Sequence, residues 1–144
     1  MSDTKKIHGS CLCQKVSVTL ENEPKTFSVC HCESCRKWSG GVSMSINGGE
    51  HLKFSGEEFV GRYSSSDWAE RGFCKQCGTH LFYRLKKTDH YFLFAGLFGD
   101  AISPKFDLQE FIDQKPDYYS FSNETKSFTK AEGHKLLSEY LNRS

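Results

Sequence analysis

The sequence predicts a mainly β protein that ends in a short helix. Several short stretches alternate apolar and polar residues, the period of half-buried strands. Twelve Phe and 14% aromatic residues supply side chains that pack well on pleated surfaces. Only near the C-terminus does the period lengthen to that of a helix, behind a capping signal.

Val16, Val18 and Leu20 alternate with Ser17 and Thr19 and predict a first strand. Phe27 to Val29 predicts a second, leading into a cysteine cluster. Val42, Met44 and Ile46 alternate again, and Asn47-Gly48-Gly49 signals a turn after them. His51 to Phe54 and Phe59 to Tyr63 read as a hairpin around Ser55-Gly56-Glu57. Arg71-Gly72-Phe73 reads as a strand end entering a turn. Leu81 to Leu85 and Tyr91 to Leu97 read as a further strand pair. Thr129-Lys130-Ala131-Glu132 is a capping box, in which the Thr hydroxyl accepts from a backbone N–H and the Glu reaches back. Leu136, Leu137, Tyr140 and Leu141 then share one helical face, expected to cover one side of the sheet.

A length of 144 residues fits one domain with its own core. The formal net charge is +1, which argues against an electrostatically driven nucleic-acid binder. No apolar run approaches a membrane span, and Met1 to Lys6 contain no apolar segment of a secretory signal. The expected address is cytoplasmic. In a reducing compartment, seven cysteines point to metal binding or thiol chemistry rather than disulfides.

Those seven cysteines form three clusters: Cys11-Leu12-Cys13, Cys30-His31-Cys32-Glu33-Ser34-Cys35 and Cys74-Lys75-Gln76-Cys77-Gly78. Seven divides into four and three. Four thiolates close a tetrahedral zinc site, whereas three leave a position open for chemistry. Cys74 and Cys77 form a knuckle whose following Gly78 permits positive φ. In a strand, Cys11 and Cys13 face the same side and supply the second pair. The competing reading is four separate thiols, with Cys74 and Cys77 as a redox pair. A redox CxxC normally heads a helix, and this one precedes a strand-like Thr79 to Leu85.

Cys30, Cys32 and Cys35 can present three sulfurs to a second ion without long loop closure. In an extended segment His31 points away from its neighbours' sulfurs. Closure by His31 or His80 would make a second structural Cys₃His site; a water or substrate thiolate in the fourth position is the preferred reading. Arg36 and Lys37 follow the cluster and are candidates for binding substrate carboxylates, against the plainer reading of surface solvation. The proton donor for any addition stays open between Ser34, Ser39, His31 and water.

In this order, the three clusters, with Gly9-Ser10 before the first, Arg36-Lys37-Trp38-Ser39-Gly40-Gly41 after the second and Phe73 and Thr79 flanking the third, resemble the glutathione-dependent formaldehyde-activating enzyme family, which includes the centromere protein V group. Phe111 to Tyr119 is similar to that family's later segment. The resemblance covers about Ile7 to Phe121, leaving 122–144 as a C-terminal extension packed on the same domain. It implies the Mss4-like, zinc-bound β-sheet architecture. It implies a structural zinc on Cys11, Cys13, Cys74 and Cys77, and a catalytic zinc on Cys30, Cys32 and Cys35. The implied reaction adds the glutathione thiol to formaldehyde, which in reverse is a carbon–sulfur lyase; a related small aldehyde is the variant. A non-catalytic zinc module that binds a protein partner is the alternative. Two positions depart from the family pattern: Gln14 stands where a Gly commonly follows the first cluster, and Gln109-Glu110 stand where a His often precedes the Phe-Ile segment.

Overall fold

The computed structural model describes residues 6–143. These form two compact units, each assembled from separate stretches of chain: residues 6–25 with 46–104, and residues 26–45 with 105–143.

In the first unit, β1 (Ile7–Ser10), β2 (Ser17–Leu20) and β5 (Phe54–Ser55) make a three-stranded antiparallel sheet with β2 at its centre. The alternation read from the sequence is what β2 uses: Val18 and Leu20 are buried while Ser17 and Thr19 are half-exposed. A second set runs β6 (Val60–Tyr63), β7 (Ala69–Cys74), β8 (His80–Leu85) and β9 (His90–Phe94), antiparallel throughout. Phe54, Phe82 and Tyr91 pack as an aromatic cluster, with ring centroids 5.0 to 5.7 Å apart. Such tilted and edge-to-face contacts favour a fixed arrangement beyond the apolar area they bury.

The second unit is built on β3 (Thr26–Cys30) and β10 (Lys105–Glu110), paired in parallel. β11 (Lys126–Phe128) extends β10 in parallel, and the start of β4 (Ser43–Glu50) pairs antiparallel with β3. Val29 is fully buried, and Phe27 stacks on Phe106 at 4.9 Å. Between β3 and β4 lies helix α1 (Glu33–Ser39), which ends where Gly40 takes a φ of 78°. That left-handed conformation suits glycine at a helix end.

The mainly β architecture and the closing helix agree with expectation. Three local expectations are corrected. Asn47-Gly48-Gly49 does not end its strand; β4 runs to Glu50 before His51 turns the chain at a φ of 57°. Phe54 and Val60 do not face each other in a hairpin. β5 pairs with β2 and β6 with β7, a 3₁₀ turn over Glu57–Phe59 separating them, because each short strand finds its partner across the sheet. The strand starting near Tyr91 stops at Phe94, where a 3₁₀ segment, Ala95–Ala101, begins.

Helix α2 (Lys130–Leu141) carries the expected capping box in both directions: Glu132 N–H donates to Thr129 Oγ1 at 3.2 Å, and Thr129 N–H donates to Glu132 Oε1 at 2.8 Å. Its docked face differs from the expected one. Gly133 is buried against Phe111 and Phe128, with Leu137 and Tyr140 half-buried along the same side, while Leu136 is 54% exposed and Leu141 is 40% exposed.

Candidate metal centres

In the first unit, the turn after β1 carries Cys11 and Cys13, and the turn after β7 carries Cys74 and Cys77. Their four sulfurs lie within 4.8 Å of one another. Cys11 and Cys13 are not on a strand as expected. β1 ends at Ser10, and the chain turns back through Gln14 at a φ of 68°. Gln14 N–H donates to the Cys11 carbonyl at 3.0 Å, and Val16 N–H donates to the Cys11 sulfur at 3.3 Å. The knuckle is closed by Gly78, at a φ of 80°, whose N–H donates to the Cys74 carbonyl at 2.8 Å.

Thr79 joins the two turns, a role its place in the sequence did not reveal. Its hydroxyl oxygen accepts from Leu12 N–H at 3.1 Å and lies 3.2 Å from the Cys77 sulfur, to which the hydroxyl can donate. The Thr79 side chain and backbone together pull the Cys77 thiol down to about 5. Cys13 moves oppositely. The backbone N–H of Lys15 favours its thiolate, but burial and the sulfurs of Cys77, Cys11 and Cys74 outweigh it and push the thiol up to about 12. Beside this group an open cleft of about 420 Å³ is lined by Ser10, Leu12, Thr79, His80, Phe94 and Leu97, among others.

In the second unit, the Cys30, Cys32 and Cys35 sulfurs also lie within 4.8 Å of one another. Cys30 ends β3. Cys32 is the N-cap of α1, its sulfur accepting from Cys35 N–H at 3.4 Å. Cys35 sits inside the helix. The segment is therefore a strand end passing into a helix, and the three sulfurs converge through that change of direction. The sulfurs of Cys32 and Cys35, followed by burial, drive the Cys30 thiol strongly upward. So tight a sulfur cluster cannot ionise fully without a cation to share.

Among the described residues, no histidine, aspartate or glutamate joins either group. His31 points away from the sulfurs, as expected. It is fully buried, its Nδ1 2.7 Å from Tyr119 Oη and its Nε2 2.8 Å from Gln109 Oε1. Burial lowers its pKa, and the charges of Lys115 and Arg36 add to that, against the opposing Gln109 bond. Both ring nitrogens thus face partners other than the sulfurs. Ser34 is exposed on α1, and Ser39 Oγ is buried without a partner. Arg36 donates from Nε to the His31 carbonyl at 2.8 Å, whereas Lys37 pairs with Glu33 at 3.3 Å on the exposed face of α1. Glu110, in register with Cys30 across the β3–β10 pair, has its carboxyl raised by burial, with Cys35 adding and the Ser28 hydroxyl opposing.

Both groups fit a metal. A tetrahedral zinc with Zn–S bonds of about 2.3 Å places its sulfurs about 3.8 Å apart. The Cys11–Cys13 and Cys13–Cys74 separations are 3.6 and 3.8 Å. None of the seven cysteines forms a disulfide.

The profile of the family described as glutathione-dependent formaldehyde-activating enzyme matches residues 6–114. The chain belongs to this family. A Schizosaccharomyces pombe protein named as an uncharacterized lyase is 41% identical over 130 residues, spanning 90% of this chain and 95% of the relative. A crystal structure of a Rhodobacter sphaeroides protein shares the fold, with a TM-score of 0.53 at 18% identity over 68% of this chain and 92% of that one. The family match contains all three cysteine clusters, so both sulfur groups lie within the part that defines the glutathione-dependent formaldehyde-activating family. No helix is long and apolar enough to cross a membrane.

Proposed function

We propose that the protein is a zinc-dependent carbon–sulfur lyase that joins the glutathione thiol to formaldehyde, or to a related small aldehyde, at the Cys30–Cys32–Cys35 loop. The observation that carries this reading is a group of three converging sulfurs without a fourth protein donor among the described residues, in a member of the glutathione-dependent formaldehyde-activating family. In the reaction a C–S bond forms, the aldehyde C=O becomes C–O–H, and the thiol proton is accounted for on that oxygen. The reverse direction breaks the C–S bond.

In this reading Cys30, Cys32 and Cys35 hold the reactive zinc, and Cys11, Cys13, Cys74 and Cys77 hold a structural one. Zinc held by these three cysteines would favour the thiolate form of an incoming thiol near neutral pH. The chain supplies the rest. The Cys35 N–H steadies the Cys32 sulfur. Arg36, its Nε fixed on the His31 carbonyl, offers its remaining guanidinium N–H groups to a glutathione carboxylate, and Lys37 is a second candidate that would first leave Glu33. Formaldehyde needs little activation, so positioning of the two reactants carries much of the acceleration.

The test pairs metal analysis with catalysis. The purified protein is expected to carry two zinc ions and to speed S-(hydroxymethyl)glutathione formation, read by NMR exchange, above the spontaneous rate. Cys32→Ser is expected to lose one zinc and the rate gain while keeping the fold. A Cys32→Ser protein that retained the full rate gain would overturn the reading. So would a wild-type protein that took up no glutathione at millimolar concentration; that result would favour a non-catalytic zinc module.

A further inference from the structure

His31 lies between two of the proposed ligands, yet all of its polar groups face other partners. Its backbone N–H donates to the Glu110 carbonyl at 3.0 Å, and its own carbonyl accepts from Arg36 Nε at 2.8 Å. Its ring meets Gln109 on one side and Tyr119 on the other, and stacks on Tyr119 with centroids 5.5 Å apart. The second layer is also held. Gln109 Nε2 donates to Thr125 Oγ1 at 3.1 Å, which turns Oε1 toward His31. With that acceptor opposite, His31 Nε2 carries the proton and Nδ1 accepts from the Tyr119 hydroxyl. Lys115 Nζ donates to the Pro116 and Tyr119 carbonyls at 3.0 and 2.6 Å, closing the turn that presents Tyr119.

We propose that His31, Gln109 and Tyr119 are positioning residues forming a strut that holds the Cys30–Cys35 loop in its metal-binding shape. The proposal deepens the reading of that loop as a metal site and rests on it for its metal-binding readout. A site drawn from one short loop has no second chain segment among its ligands. Its order must come from outside the ligand set, and groups bonded around a site are what orient its ligands. The strut ties the residue between Cys30 and Cys32 to positions 78 and 88 residues away in sequence. It also places Gln109 in a stated role. Its amide, with the oxygen fixed as acceptor, meets the buried imidazole.

The test loads the full chain with cobalt(II), whose thiolate absorption reports bound metal, then adds EDTA and follows release. Wild type is expected to lose cobalt in a fast and a slow phase, with the fast phase missing in Cys32→Ser. Tyr119→Phe removes one hydroxyl and keeps the ring, and Gln109→Met removes the acceptor at similar volume. Both are expected to quicken the fast phase about tenfold and leave the slow phase unchanged. Gln109→Glu keeps an acceptor and is expected to stay near the wild-type rate. An unchanged fast phase in both Tyr119→Phe and Gln109→Met would overturn the strut, as would equal quickening of both phases, the sign of general loosening. Amide exchange over residues 30–36 in protein that keeps its slow-releasing metal but holds none at the loop gives an independent arm, with faster exchange expected in Tyr119→Phe and an unchanged rate counting against the strut. If wild type held no metal at the loop, the metal reading would fail, and this arm would still decide the strut.

Discussion

At Gln14 the backbone adopts a φ of 68° with a side chain in place. A left-handed conformation costs a non-glycine residue roughly 1–2 kcal/mol, and glycine escapes that cost but gives back some in unfolded-chain entropy. Gln14→Gly is therefore expected to stabilise the chain by about 0.5 kcal/mol net, read as a raised denaturation midpoint at unchanged slope. Asp89 offers a second test. The Arg84 Nε–H donates to its carboxylate at 2.5 Å and, with His51 helping and burial opposing, holds the carboxyl below the usual carboxylate range. A depressed folded-state pKa contributes stability that is present above the unfolded value of about 3.9 and is lost as pH falls through the folded one. Asn tolerates the left-handed φ of 58° at this position. The stability gap between wild type and Asp89→Asn is expected to be widest near neutral pH and to close in acid. A gap independent of pH would remove the ion pair as its cause.

At the scale of elements, α2 separates local signal from tertiary outcome. Its capping box was legible because it needs only Thr129 and Glu132 at the right spacing. Its docked face was not, because the decisive residue is Gly133, which carries no hydrophobic side chain and is buried by admitting Phe111 and Phe128 close to its backbone. Thr129→Ala is expected to cost about 1 kcal/mol locally, seen as faster amide exchange at the start of α2 with β3 and β10 unaffected. Strands with clean alternation, such as β2, were legible for the same local reason. β5, two residues long, was assigned to the wrong partner because pairing is set by the rest of the sheet. α1 was hidden by its cysteines. The spacing of Cys30, Cys32 and Cys35 reads as a sulfur cluster and carries no period of its own, although the Glu33–Lys37 spacing was a helical signal. The two sulfur groups were legible because cysteine spacing alone points to which thiols can converge. Thr79, Gln109 and Tyr119 were not, because they reach the sites from elsewhere in the chain and belong to residue types with many ordinary uses.

At the scale of the whole molecule, the two sulfur groups differ in how much chain they constrain. Cys13 and Cys74 are separated by 61 positions, so an ion held between them closes a long loop. By the chain-entropy relation used for cross-links, a closure of this length is worth on the order of 4 kcal/mol. Cys30, Cys32 and Cys35 lie within one short stretch of chain, and by the same relation an ion there is worth on the order of 2 kcal/mol. Stripping metal with increasing chelator is therefore expected to proceed in two stages. The first ion lost is expected to lower the thermal midpoint modestly and the second to lower it more steeply, because metal binding at a site that exists only in the folded chain is itself folding free energy and the second site closes the longer loop. Cys77→Ser is expected to reproduce the second stage without chelator, and Cys32→Ser only the first. Calorimetry beside metal analysis at each chelator concentration checks the order. Loss of both ions in a single step that coincides with unfolding would mean that the two groups constrain the fold alike, and the division between a structural and a reactive site would have no basis.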